Sequence, residues 1–236
     1  MSSRAQPRVG NRILAALPRT EYERLCPHLE HVRFSAGATL YEVDDRIRYV
    51  YFPVSGMVSL LSPSSSGNIV EVGMIGNEGM TGLPVVLGVD RMPYRVTTQL
   101  TADALKLRTA TLAVEFQRGA HMHNLLLQYL YTVLRQITQS ALCHRFHTTE
   151  ERLCRWLLTA SDRAKSKTFH LTQESIAHML GVPRTSVTMI ANRLQQLNLV
   201  RLTRGRISIV DRQQLGHAAC ECYDIVASEV DHFLAS

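Results

Sequence analysis

Residues 171–210 constrain this chain more than any other stretch. Ile176, Ala177 and Leu180 repeat at helical spacing, and so do Val187, Ile190, Ala191, Leu194 and Leu197. Gly181 separates the two runs, where helices crossing steeply need a residue free to take positive φ. Ala177 is small and lets the second helix approach the first. This spacing predicts a helix-turn-helix, with Thr172 at the start of its first helix expected among the DNA-binding residues. The second helix keeps one polar face made of Arg184, Thr185, Ser186, Thr188, Met189 and Asn192. An α-helix fits the DNA major groove, and that face carries donors able to read base edges. An ordinary αα-hairpin in a helical core shares the spacing, but the following residues argue against it. Val200, Leu202, Ile207 and Ile209 alternate around Thr203-Arg204-Gly205-Arg206, a hairpin pattern with a glycine turn. A basic hairpin straight after such a helix reads as a wing, whose Arg201, Arg204 and Arg206 can meet phosphates.

Charge points the same way. From Ser161 to Arg212 there are nine Lys and Arg against three Asp and Glu, an excess equal to the +6 of the whole 236-residue chain. The basic excess therefore falls on the stretch read as DNA-binding. At 45% hydrophobic and 19% charged residues the composition is that of a globular protein with ample core. Five cysteines without regular spacing are not a disulfide framework and predict a reducing compartment. The first residues lack the apolar core of a signal peptide, and no apolar run reaches the roughly 18 residues of a membrane span. The expectation is a soluble, cytoplasmic protein without membrane contact.

The rest of the chain divides by period. Asn11 to Leu29 suits two short helices broken at Pro18, the second capped by Thr20 with Glu23. From His31 to Arg108 the runs become short, β-prone and punctuated by glycine: 31–34, 39–41, 49–53, 56–62, 68–74, 94–100 and 103–108. Turn signals at roughly 8–12-residue intervals predict a sandwich or jelly roll. A short helix near Leu112–Phe116 follows. Residues 120–147 then read as one long helix, in which Leu126, Leu130, Val133, Ile137, Ser140 and His144 step by 4-3-4-3-4. That seam is expected to pair two chains, with packing against the β-domain as the alternative. Leu125, Tyr129 and Leu134 are assigned to the β-domain. Thr148-Thr149-Glu150-Glu151 is a capping box that starts a new helix, so the boundary falls at 147–149. Residues 212–235 read as a terminal helix. The fold class expected is α+β, with an N-terminal β jelly roll at 1–119, a long dimerisation helix at 120–147 and a C-terminal winged helix-turn-helix at 148–236.

This order of parts resembles the CRP/FNR family of bacterial transcription regulators over residues 20 to 215, most specifically from Thr172 to Leu199 and the wing. The resemblance implies a homodimer joined along the long helix. It implies two recognition helices offered to a near-palindromic operator in double-stranded DNA, and an effector read by the cyclic-nucleotide-binding-like β-domain. RNA polymerase is a further partner of the kind it suggests. In the family an Arg near the start of the recognition helix pairs with guanine, and Arg184 stands there. Family members often place Glu next and a second Arg one turn on, where this chain has Thr185 and Met189. Pro183 replaces the usual capping Ser.

The effector region departs further. Cyclic-nucleotide-binding relatives carry Gly-Glu-Leu followed by Arg-Ser. Here Gly82 is followed by Leu83 in place of the ribose-binding Glu, and Arg95, beside Val96, stands where the phosphate-binding Arg would be. Cyclic AMP is therefore not expected as the effector, and no cofactor is assigned. Only Cys26 lies near the place of the iron–sulfur relatives' N-terminal cysteines. Cys143 and Cys154 lie near the hinge. Cys220 and Cys222 on one helix would point to different sides, a poor chelate, so no metal site is expected. No nucleophile motif, phosphate loop or carboxylate pair suggests an enzyme. The competing reading is a ligand- or redox-sensing module that acts through protein partners.

Overall fold

The computed structural model describes residues 10–203 and 205–235. Two short helices, α1 (Arg12–Ala16) and α2 (Arg19–Leu25), precede the β-domain. Asn11 caps α1 by accepting from the Leu14 amide. The cap expected from Thr20 does not form: Pro18 occupies the N-cap of α2, which draws Thr20 inside the helix.

The β-domain comprises β1 (Glu30–Phe34), β2 (Thr39–Tyr41), β3 (Tyr49–Pro53), β4 (Met57–Pro63), β5 (Ile69–Ile75), β6 (Arg95–Leu100) and β7 (Ala102–Arg108). They form two antiparallel sheets, β1-β7-β3 and β2-β6-β4-β5. The inner faces meet around Val50, Phe52, Leu60, Val96 and Leu107, all fully buried. Helix α3 (Thr109–Gln117) leads to the 26-residue α4 (His121–Phe146). At Gly79 the β-domain backbone runs so close to α4 that a Cβ would stand 2.0 Å from the Tyr129 hydroxyl.

Helix α5 (Thr149–Ala164) begins with the expected capping box, Thr148 and Glu151 bonding each other's backbone amides. Next come β8 (Thr168–His170), α6 (Gln173–Leu180), α7 (Arg184–Gln196), β9 (Val200–Thr203) and β10 (Arg206–Ile209), with the small sheet ordered β8-β10-β9. Strand β8 was not foreseen: three residues are too few to show a period. The terminal helix expected over 212–235 is two helices, α8 (Arg212–His217) and α9 (Cys222–Ala235).

The expected seam on α4 is turned inward. Leu126 and Val133 lie in the core of their own chain, and Leu130 and Ile137 pack against it. Ser140 is buried as well. Leu125 and Tyr129 join the β-domain core as assigned, but Leu134 is 59% exposed. The inward face is wide because two partners cover it, β5 on one side and α9 on the other, where Phe233 meets the Tyr129 ring at 5.6 Å. The outward ridge consists of Leu127, Tyr131, Leu134, Leu142 and Phe146, all exposed. Leu127, Tyr131 and Leu134 lie on the expected heptad displaced by one residue, or about 100° around the helix, which continues through Thr138, Ala141 and Arg145 with Leu142 and Phe146 beside it.

Candidate nucleic-acid interface

The helix-turn-helix is built as its spacing requires. Thr172 caps α6 by accepting from the Ser175 amide at 3.0 Å. Gly181 ends α6 at φ +64°, and the Val182 amide returns to the Ala177 carbonyl at 3.1 Å. That closure is a glycine C-cap, and it turns the chain sharply into α7. Pro183 is the N-cap of α7, and no side chain caps that end. Val187, Ala191 and Leu194 are buried, sharing or adjoining a core with Ile176, Ala177, Leu180, Leu157 and Val200.

The opposite face of α7 is open. Arg184, Thr185 and Asn192 are exposed, and Met189 is 70% exposed. Ser186 and Thr188 are half-buried at its edge. Thr188 donates to Gln173 Oε1 at 2.7 Å, so it also ties α7 to the start of α6. The wing lies beside this face, with Arg201 on β9 and Arg206 on β10 exposed. Arg206 Nε donates to His170 Nε2 at 3.1 Å, which steadies the guanidinium without neutralising it. Arg204 lies outside the described residues. Thr172 is exposed, but its hydroxyl serves the helix cap.

The expected effector residues are not assembled into a pocket. Leu83 and Val96 are core residues, 4% and 0% exposed. Gly82 has φ +82°, and a Cβ there would meet Val50 at 2.8 Å and Ile47 at 3.2 Å. Tyr41 closes the same region, its hydroxyl donating to the Tyr49 carbonyl at 2.6 Å. Arg95 pairs with Glu42 at 2.7 Å. A cyclic nucleotide would have to displace Glu42 and open apolar packing, so the residues present do not fit that ligand. Sequence reading could place Arg95, but Glu42 lies far from it in the chain and gave no signal.

Polar contacts join the two domains. Trp156 Nε1 donates to Glu71 Oε1 at 2.9 Å, and Ser59 donates to the other carboxylate oxygen. Burial pushes the Glu71 carboxyl up to about 7, against the pull of Ser59, Arg155 and Trp156. Arg163 and Glu78, both buried, pair at 2.9 Å. Met57 and Met74 of the β-domain share the core of the C-terminal domain. Against α9 lies a cavity of about 220 Å³ lined by Arg12, Glu78, Asp162, Arg163 and Tyr223 among others.

A two-sheet β-domain, a long connecting helix and an exposed recognition helix beside a basic wing define a DNA-binding regulator of two domains. Comparison with known proteins agrees. The cyclic nucleotide-binding domain family matches residues 31–118, and the Crp-like helix-turn-helix domain family matches 151–218. The transcriptional regulatory protein btr of Bordetella pertussis is 26% identical over 228 residues, covering 86% of this chain and 89% of that protein. A CRP/FNR-family regulator from Eubacterium rectale has the same fold at a TM-score of 0.70 and 16% identity, over 87% of this chain and 96% of its own. FixK2 from Bradyrhizobium japonicum superposes at 0.69 and 17% identity, over 81% and 98%. The chain belongs to the CRP/FNR family of transcription regulators, whose work is DNA binding rather than enzymatic catalysis. Among the described residues no helix is long and apolar enough to cross a membrane.

Proposed function

We propose that this regulator binds a near-palindromic operator as a homodimer. The carrying observation is the face of α7. Its apolar side is buried, while Arg184, Thr185, Met189 and Asn192 stand open beside Arg201 and Arg206. In this reading Arg184 and Asn192 read base edges, and Arg201, Arg204 and Arg206 hold phosphates. The dimer surface is the outer ridge of α4, not the inward seam. From Leu127 to Arg145 that ridge runs about 27 Å at 1.5 Å per residue. A second copy of the same helix is its occupant, because a heptad ridge is complementary to itself about a two-fold axis. Such a pair would set the recognition helices about one DNA turn, roughly 34 Å, apart.

The division into 1–119, 120–147 and 148–236 follows these roles. The protein acts in the cytoplasm, a setting supported by five free thiols. Selection of bound duplexes from a random library tests the reading. Enriched sites with two inverted half-sites about ten base pairs apart are expected. Recovery of no preferred sequence overturns the reading.

A further inference from the structure

Where α4 ends, three thiols and an imidazole converge. Cys143 lies in the last turn of α4 and His147 is its C-cap, four residues on and on the same face. Cys220 lies in the break between α8 and α9, and Cys222 is the first residue of α9. In a continuous helix two residues two apart diverge by about 200°. The break removes that divergence, and both sulfurs turn towards Cys143. The three Sγ atoms and a ring nitrogen of His147 all lie within 4.8 Å of one another. Cys143 and Cys220 are 3.5 Å apart, and Cys222 lies 3.5 Å from His147 Nδ1.

We propose that Cys143, His147, Cys220 and Cys222 form a Cys₃His site for a single zinc ion. With Zn–S of about 2.3 Å, the edges of a tetrahedral site are about 3.8 Å, close to the separations found here. The site is closed: Cys143, Cys220 and Cys222 are 0%, 5% and 0% exposed. Four protein ligands with no open position are the arrangement of a structural rather than a catalytic ion.

The surrounding residues serve the same end. Glu221 approaches His147 Nε2 at 3.1 Å, which holds the ring tautomer that leaves Nδ1 free to ligate. Gln139 Nε2 donates to Cys222 Sγ at 3.1 Å. The guanidiniums of Arg152 and Arg155 lie near enough to act on Cys143, offsetting the excess negative charge of three thiolates around a divalent cation. Binding releases the thiol protons to solvent. The ion ties α9 to the end of α4 immediately before α5, so it sets the joint from which the DNA-binding domain hangs.

The test uses the full chain purified anaerobically with reductant. Elemental analysis should find about one zinc per chain, held through desalting, as structural zinc sites hold theirs. Chelation should lower the melting temperature. Cobalt(II) should give the intense visible bands of a tetrahedral thiolate site together with sulfur-to-cobalt charge transfer. Cys222→Ser and Cys220→Ser should abolish those bands, whereas Cys26→Ser and Cys154→Ser should leave them unchanged. Glu221→Gln should weaken cobalt binding about tenfold, as loss of a partner to a ligating His does. His147→Cys should keep the ion but shift the bands, which separates loss of a ligand from loss of fold. A chain that binds no cobalt, one in which Cys26→Ser matters as much as Cys222→Ser, or one isolated with a Cys143–Cys220 disulfide or an iron–sulfur chromophore overturns the proposal. None of these readouts involves DNA, so the DNA-binding reading stands or falls separately.

Discussion

Arg184 and Glu71 show how differently two charged residues act in one chain. Arg184 is exposed at the start of α7, in reach of a groove. A bidentate Arg–guanine pair is worth about 1–3 kcal/mol of discrimination. Arg184→Ala is therefore expected to weaken specific binding and relax preference at one position in each half-site. Unchanged sequence preference in a binding selection refutes that role. Glu71 is buried between the domains, and its carboxyl is raised to about 7 by that burial. A raised carboxyl binds its proton in the folded chain where the unfolded chain has released it. Its contribution is thus intact below the ordinary carboxylate range and is lost as pH rises towards 7. Glu71→Gln keeps the acceptor for Trp156 and removes the charge. It is expected to stabilise the chain at pH 8, by up to about 3 kcal/mol for a shift of this size, and to make little difference near pH 4. Thermal melts at the two pH values check the sign, and equal effects at both refute it.

At the scale of elements, α4 separates two kinds of apolar residue that share one period. Val133 is in the core, while Leu134 stands 59% exposed on the outer ridge. Val133→Asp is expected to destabilise the fold itself, because it buries a charge without a partner. Leu134→Asp is expected to leave the melting temperature of the isolated chain nearly unchanged and to weaken the dimer. Burying a leucine is worth about 1.5–3 kcal/mol, and each of two chains loses one, so dissociation should rise about a hundredfold or more. Sedimentation at micromolar concentration distinguishes the two. A Leu134→Asp variant that remains fully dimeric places the interface elsewhere.

At the scale of the molecule, the wing and the β-domain can be tested on the whole protein. Arg201→Ala and Arg206→Ala should weaken all sequences alike, each reducing the salt slope of binding by about one. A loss confined to one base position would instead make them readers of sequence. The packed β-domain predicts that titration with cyclic AMP or cyclic GMP gives no micromolar binding. A ribose hydroxyl facing Leu83 would lose water without gaining an acceptor, a penalty of about 1–3 kcal/mol. Micromolar binding coupled to tighter operator binding would refute this and require Arg95 to leave Glu42.

Local pattern was enough for the helix-turn-helix, the wing, the strand runs between 30 and 108, and the capping box at Thr148. In each, the deciding contacts lie within a few residues: a glycine taking positive φ at 181, a side chain reaching an amide three positions on, apolar residues repeating every second or every third and fourth position. Pattern could not decide which apolar stripe of α4 faces inward, because large apolar residues at Leu127, Tyr131 and Leu134 adjoin the longer stripe from Leu126 to Ile137. The packing of β5 and α9 chose between them. It could not show that Leu83 would lie in a filled core, or that Arg95 would meet Glu42, since those neighbours come from distant strands. Nor could it show the break at 218–221. An unbroken helix would have held Cys220 and Cys222 apart, and only the return of α9 along α4 brings them to Cys143 and His147. Local chemistry determined what each element is, and tertiary packing decided which of its faces were left to act.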